Sequence, residues 1–221
     1  MPVRRVPAQL VCALALLTSA VPAAAGPAAT FSRGQQAAAA GNYAKAARLW
    51  KPLAAKGYAP AQRALAGMYA GGLGVDPDAA KALRLFRKAA RQDDAAAAMG
   101  LAAMYERGIG VETDRERALK WYRTAAQSGF ARAQAVLAAI YRQGRGTPAD
   151  PDKAVHWYTR AAENGHKRAQ LQLARMYRDG EHVARDLEAA LRWYTAAAEQ
   201  GFTLARKERE KLLDAHPALG E

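Results

Sequence analysis

The stretch Leu101-Ala102-Ala103-Met104-Tyr105-Glu106-Arg107-Gly108-Ile109-Gly110-Val111-Glu112-Thr113-Asp114 contains landmarks that return along the chain at a fixed step. Tyr105 belongs to a series with Tyr69, Tyr141 and Tyr177, each 36 residues from the next. Gly108 has counterparts at Gly72, Gly144 and Gly180, and Asp114 at Asp78, Asp150 and Asp186. Beyond Asp114 the same step joins Ala82, Ala118, Ala154 and Ala190. It also joins Leu85 to Trp121, Trp157 and Trp193, and Phe86 to Tyr122, Tyr158 and Tyr194. Agreement at this many positions over four copies marks a tandem repeat, the signature of a stacked rather than a single-core architecture.

Each copy reads as helix, loop, helix, turn. In the second copy the first helix is expected from about 95 to 107, because Ala97, Leu101, Met104 and Tyr105 recur at steps of three and four and so share one face. Gly108 and Gly110 stop it, since glycine takes positive φ at little steric cost. Asp114 is placed to cap the second helix through its carboxylate. Pro151 follows Asp150 in the third copy, where the first helical position loses nothing by lacking an N–H. The second helix is expected to bury Ala118, Trp121, Tyr122, Ala125 and Ala126 and to end at the turn glycine Gly129. Asp93 stands at that turn position in the first copy and tolerates the left-handed conformation better than most residues.

These copies divide the chain. Full repeats occupy 59–94, 95–130, 131–166 and 167–202. A shortened helix pair precedes them at 26–58, where Ala46, Leu49, Trp50 and Gly57 keep the register but Gly41-Asn42-Tyr43 replaces the long loop. A polar capping helix and tail follow at 203–221, with Arg206-Lys207-Glu208-Arg209-Glu210-Lys211 as its solvated face.

Residues 1–25 read as a secretory signal peptide: Arg4 and Arg5, an apolar run of 8 residues from Leu10 to Leu17, Pro22, then Ala23-Ala24-Ala25 before Gly26. The run is far short of the roughly 20 residues a membrane span needs. The chain is thus expected in the periplasm or secreted, with no transmembrane segment after processing. Its only cysteine, Cys12, lies in that segment, so the mature chain would rely on packing rather than disulfides. Of a formal charge of +13, removal of Arg4 and Arg5 leaves about +11.

The units from Leu101 to Val111, with Asp114, Ala118, Trp121-Tyr122 and Ala125-Ala126, strongly resemble Sel-one-like repeats, longer-looped cousins of tetratricopeptide repeats. The resemblance covers roughly 31–202, and the 36-residue period separates it from the 34 of tetratricopeptide units. It implies an all-α, right-handed αα superhelical solenoid with an adaptor role in the cell envelope or outside the cell. Relatives with a cysteine pair in each repeat are linked to β-lactam binding; the mature chain lacks such pairs, so that activity does not carry over.

Catalytic and cofactor signatures are not legible. His156, His166, His182 and His216 make no helical metal-ligand pair, Gly71-Gly72-Leu73-Gly74 aligns with the other repeat loops, and no serine sits in a nucleophile elbow. The chain is read as a non-enzyme without cofactor; a hydrolase would need an acid–base or nucleophile–base pair in a pocket. In solenoids of this kind the first helices line the concave face, and their variable positions do the binding. Near the ends of those helices stand Arg107, Arg142, Arg145, Arg175 and Arg178. They are the candidate partner-binding residues, suited to an acidic peptide, a C-terminal carboxylate or an anionic glycan, because the planar guanidinium binds carboxylate through two hydrogen bonds. An ordinary solvated basic face is the simpler alternative. The leading function is a protein-interaction scaffold; the alternative is an envelope polymer-binding protein drawn to peptidoglycan or another anionic surface. Export argues against nucleic acid.

Overall fold

The structure is a computed structural model and describes residues 26–220, so the signal-peptide reading of 1–25 lies outside the described residues. The described residues form eleven α-helices and no strand, stacked as the α-solenoid expected from the 36-residue register. The helices are α1 (Pro27–Ala39), α2 (Tyr43–Ala55), α3 (Ala59–Gly71), α4 (Ala79–Ala90), α5 (Ala95–Arg107), α6 (Arg115–Gln127), α7 (Ala131–Gln143), α8 (Pro151–Glu163), α9 (Lys167–Asp179), α10 (Leu187–Glu199) and α11 (Thr203–Ala215), with a 3-10 turn at Pro217–Gly220. Each helix packs on its neighbours in sequence, which is the contact pattern of a one-dimensional stack.

The recurring residues recur because the backbone uses them. The amides of Asp78, Asp114, Asp150 and Asp186 donate to the carbonyls of Tyr69, Tyr105, Tyr141 and Tyr177, each at 2.9 Å, and close the interhelix loop. The aspartate carboxylates then accept from the amides of Lys81, Arg117, Lys153 and Ala189, capping α4, α6, α8 and α10. One residue type therefore both closes the loop and starts the helix. Gly108 ends α5 in the left-handed region at φ 70°. Gly110, at φ 69°, lies so close to the start of α4 that a Cβ would stand 2.6 Å from Cβ of Ala79. Two positive-φ positions carry side chains instead: Asp93 in the first turn and His182 in the fourth loop.

The core is a succession of alanines and leucines. Ala82, Ala154 and Ala190 on the second helices, and Ala89, Ala125, Ala161 and Ala197 about two turns further along that register, are fully buried, which brings the helices close together. Leu101, Leu137 and Leu173 are likewise fully buried. The Tyr122, Tyr158 and Tyr194 column is buried too, but Trp121, Trp157 and Trp193 are only half-buried and pack from the flank. The expectation that Trp121 is core is thus corrected: it stands one residue from Tyr122, a step of about 100° around the helix, which turns it toward the rim.

A second polar ladder runs inside the stack. Gln62, Gln134 and Gln170 are buried and donate to the carbonyls of Ala54, Ala126 and Ala162 at 3.1–3.2 Å. Gln92, Asn164 and Gln200 donate in turn to their Oε1 atoms. In the second repeat Ala98 replaces the glutamine, and its partner position carries Ser128, which bonds its own helix at Thr124 and Ala125.

Candidate functional site

Three columns meet where each first helix ends. The first runs through Gly34, Ala70, Glu106, Arg142 and Arg178; the second through Trp50, Phe86, Tyr122, Tyr158 and Tyr194; the third, in the loops, through Leu73, Ile109, Arg145 and Glu181. In this register the N-terminal half is apolar and the C-terminal half polar and charged. At the apolar end Trp50 lies over Gly34, where a Cβ would come within 2.1 Å of its Nε1, and Phe86 lies against Gly100 in the same way. The indole N–H of Trp50 donates to the carbonyl of Phe31 at 3.1 Å. No side chain larger than hydrogen fits beneath these rings.

The polar end is built from pairs. The Tyr122 hydroxyl donates to Glu106 at 2.8 Å, and Arg145 donates to the other oxygen of the same carboxylate at 3.0 Å. Burial, then the adjacent Glu106, push the Tyr122 phenol well above its ordinary range, so it stays a hydrogen-bond donor at any physiological pH. Glu106, Tyr122, Arg145 and the loop at Gly144 and Gly146 line a cleft of about 310 Å³. At the C-terminal end Glu208 of α11 reaches back to α9. It accepts from Arg178 at 2.9 Å and lies 3.6 Å from Arg175. Arg178 also grips Asp179 at 2.7 and 2.8 Å, and this contact holds its guanidinium protonated and the Asp179 carboxyl below its ordinary value.

The five sequence-predicted arginines therefore separate. Arg145, Arg175 and Arg178 are engaged by acids of this chain. Arg107 and Arg142 are exposed and make no hydrogen bond or ion pair among the described residues. Sequence reasoning did not find the carboxylates that occupy the first three. Glu106 has its partner 39 residues away in sequence, and Glu208 was read as part of the solvated face of the capping helix.

His166 has a structural role: its Nδ1 accepts from the Ala169 amide and caps α9. No group of three or more His, Cys, Asp or Glu that could hold a metal occurs among the described residues, and no described helix is long and apolar enough to cross a membrane.

A family model for the Sel1 repeat matches residues 59–94, 95–130, 131–166 and 167–202. A Sel1 repeat protein from Oxalobacter formigenes is 34% identical with a TM-score of 0.70, over 83% of this chain and 74% of its own. The protein c5321, a protective antigen present in uropathogenic Escherichia coli strains and displaying an SLR fold, is 30% identical with a TM-score of 0.76, over 87% of this chain. This chain spans 42% of that protein's length. The immunity protein Pa5087 from Pseudomonas aeruginosa, 21% identical over 80% of this chain and 67% of its own with a TM-score of 0.57, shares the fold. No curated protein matches the chain significantly. Four contiguous family matches on an all-α stack place the chain in the Sel1 repeat family, a non-catalytic solenoid fold that typically serves as a protein–protein interaction scaffold.

Proposed function

We propose that this protein works outside the cytoplasm, in the cell envelope or secreted, as an adaptor that holds a protein partner against the charged end of its first-helix face. The observation that carries the reading is the pair of unengaged arginines, Arg107 and Arg142, on a face where every other candidate arginine already holds a carboxylate. The signal-peptide pattern at 1–25 and the description of c5321 as a protective antigen support the location. The test is crosslinking of the mature protein in its own cells, comparing wild type with Arg107→Glu/Arg142→Glu. Loss of a captured protein in the double variant is the expected result; equal capture overturns the reading.

A second reading is favoured by a separate feature. Lys51, Lys81, Arg84 and Lys88 surround a cleft of about 350 Å³ floored by Leu65, Tyr69 and Leu85, with no acid in its lining. Such a cleft suits an anionic envelope polymer. The two surfaces separate by substitution: polymer binding through this cleft is lost in Lys51→Gln/Lys88→Gln and kept in Arg107→Glu/Arg142→Glu, whereas capture of a protein partner shows the reverse.

A further inference from the structure

Residues 26–75 carry six Lys and Arg and no Asp or Glu, and α4 adds Lys81, Arg84, Arg87 and Lys88, again without an acid. Part of this excess surrounds the cleft floored by Leu65, Tyr69 and Leu85, where the shortened helix pair meets the first repeat. That junction is open where the next two are filled. There Arg87 donates to the Tyr105 hydroxyl and Arg123 to the Tyr141 hydroxyl, each at 3.0 Å, both tyrosines are buried, and Trp121 and Trp157 stand on the flank. At the first junction Lys51 takes the register of those arginines and Leu85 that of the tryptophans. Lys51 makes no hydrogen bond to Tyr69, which stays half-buried with Lys81 over its ring at 5.3 Å. The smaller pair leaves the cleft of about 350 Å³, which continues past Tyr69 into a second of about 600 Å³.

The walls decide what fits. Lys81, Arg84 and Lys88 stand three and four residues apart on α4 and form one row. Lys51 of α2 lines the same cleft. Asp78 holds Lys81 at 2.9 Å, whereas the side chains of Lys51, Arg84 and Lys88 are unpaired among the described residues. The row rises about 10 Å, so the cleft has a cross-section of about 35 Å², less than half that of a helix about 10 Å across. The walls are helices whose backbone groups are bonded internally, so an extended peptide finds no edge to pair with. A sugar chain needs no such edge: its rings lay C–H faces on apolar side chains, and its acid groups take long cationic ones. We propose that this junction binds a linear acidic glycan, its acid groups on Lys51, Arg84 and Lys88 and its sugar faces on Leu65, Tyr69 and Leu85. This rests on the polymer reading of the same cleft and specifies its chemistry and its seat.

The probe is fluorescein-labelled hexagalacturonate, titrated into the purified chain and followed by fluorescence anisotropy at physiological salt. Wild type is expected to bind it and to ignore the uncharged galactose hexamer. Lys51→Arg/Leu85→Trp keeps every charge and installs the pair that fills the next junction. It is expected to weaken binding about tenfold or more with the thermal midpoint retained. Lys51→Gln/Lys88→Gln weakens it by a similar factor, and Arg107→Glu/Arg142→Glu leaves it unchanged. Loss in Lys51→Gln/Lys88→Gln with full affinity in Lys51→Arg/Leu85→Trp keeps the polymer reading and overturns the seat, because charge alone then holds the probe. Absence of wild-type binding, or an equal loss in Arg107→Glu/Arg142→Glu, overturns the polymer reading with it. Displacement by hexaglutamate or by polyphosphate of equal charge, as effective as by unlabelled glycan, overturns the sugar occupant.

Discussion

The side-chain amide of Asn164, in the turn that ends the third repeat, donates to Oε1 of buried Gln134 at 2.9 Å, while Gln134 donates to the carbonyl of Ala126 at 3.1 Å. Gln134 thereby ties the start of α7 to the end of α6 and to the next turn. A buried amide is tolerated only when its polar atoms are partnered, and here both are.

Removing this link is expected to destabilise the stack locally. Gln134→Ala leaves the Asn164 amide without its acceptor, at a cost of about 1–2 kcal/mol. The second repeat shows the compensated alternative, Ala98 with Ser128. The double variant Gln134→Ala/Asn164→Ser should therefore lose less than the two single changes added together. Urea unfolding of the four-protein cycle measures the coupling; strict additivity would show that the ladder is incidental.

The aspartates that cap the second helices make a second case. In Asp114→Ala the cap on the Arg117 amide is lost, and a drop of about 1 kcal/mol is expected. The accompanying Arg117 ion pair is exposed and adds little. The equivalent Asp78 and Asp150 carboxyls are held below their ordinary value of 3.8, first by the side chains of Lys81 and Lys153 and then by the backbone caps. A depressed carboxyl favours the fold above its unfolded value and loses that contribution as pH falls through the folded one. Acid melting of Asp78→Asn/Asp150→Asn should accordingly show a shallower decline below about pH 4 than wild type.

These caps were legible in the sequence because a backbone bond demands them. Tyr105, Gly108, Asp114 and Ala118 each sit where the chain must turn, start or pack, so the 36-residue step exposes them. The glutamine ladder left a fainter trace: Gln62, Gln134 and Gln170 keep the step, but Ala98 interrupts it, and polar residues on a helix are read as solvated by default. The arginine pairings left no trace at all. Arg145 and Glu106 are 39 residues apart and Arg178 and Glu208 are 30 apart, so their meeting depends on how one repeat is rotated against the next. Trp121 was misplaced for the same reason: periodicity fixes a face to within a residue or so, and its position lies at the edge of that face.

Loop geometry gives opposite predictions at one register position. Gly110 is in the left-handed region, and a Cβ there would overlap Ala79, so Gly110→Ala is expected to cost about 2–4 kcal/mol from strain and overpacking together. His182 stands at the same position in the fourth loop at φ 59°. His182→Gly relieves the Cβ penalty and should stabilise by about 0.5–1 kcal/mol. Thermal melting of the two variants checks the sign; stabilisation by Gly110→Ala would show that the loop does not pack on α4 as described.

His166 makes the stack sensitive to mild acid. Its Nδ1 accepts from the Ala169 amide, which requires the unprotonated imidazole nitrogen, so the cap on α9 is lost on protonation. Burial, followed by the cations Arg168 and Arg132, lowers its pKa below the ordinary 6.5. The unfolded chain therefore takes up a proton before the folded chain does. The contribution of the neutral histidine is fully present above pH 6.5 and is lost as pH falls toward the folded value. His166→Asn keeps a capping acceptor that does not titrate. Between pH 7.5 and pH 5 the melting temperature of wild type should fall further than that of His166→Asn, and the two proteins should converge at the upper end. A parallel fall in both would assign the acid sensitivity to other groups and leave His166 a cap of no consequence for pH.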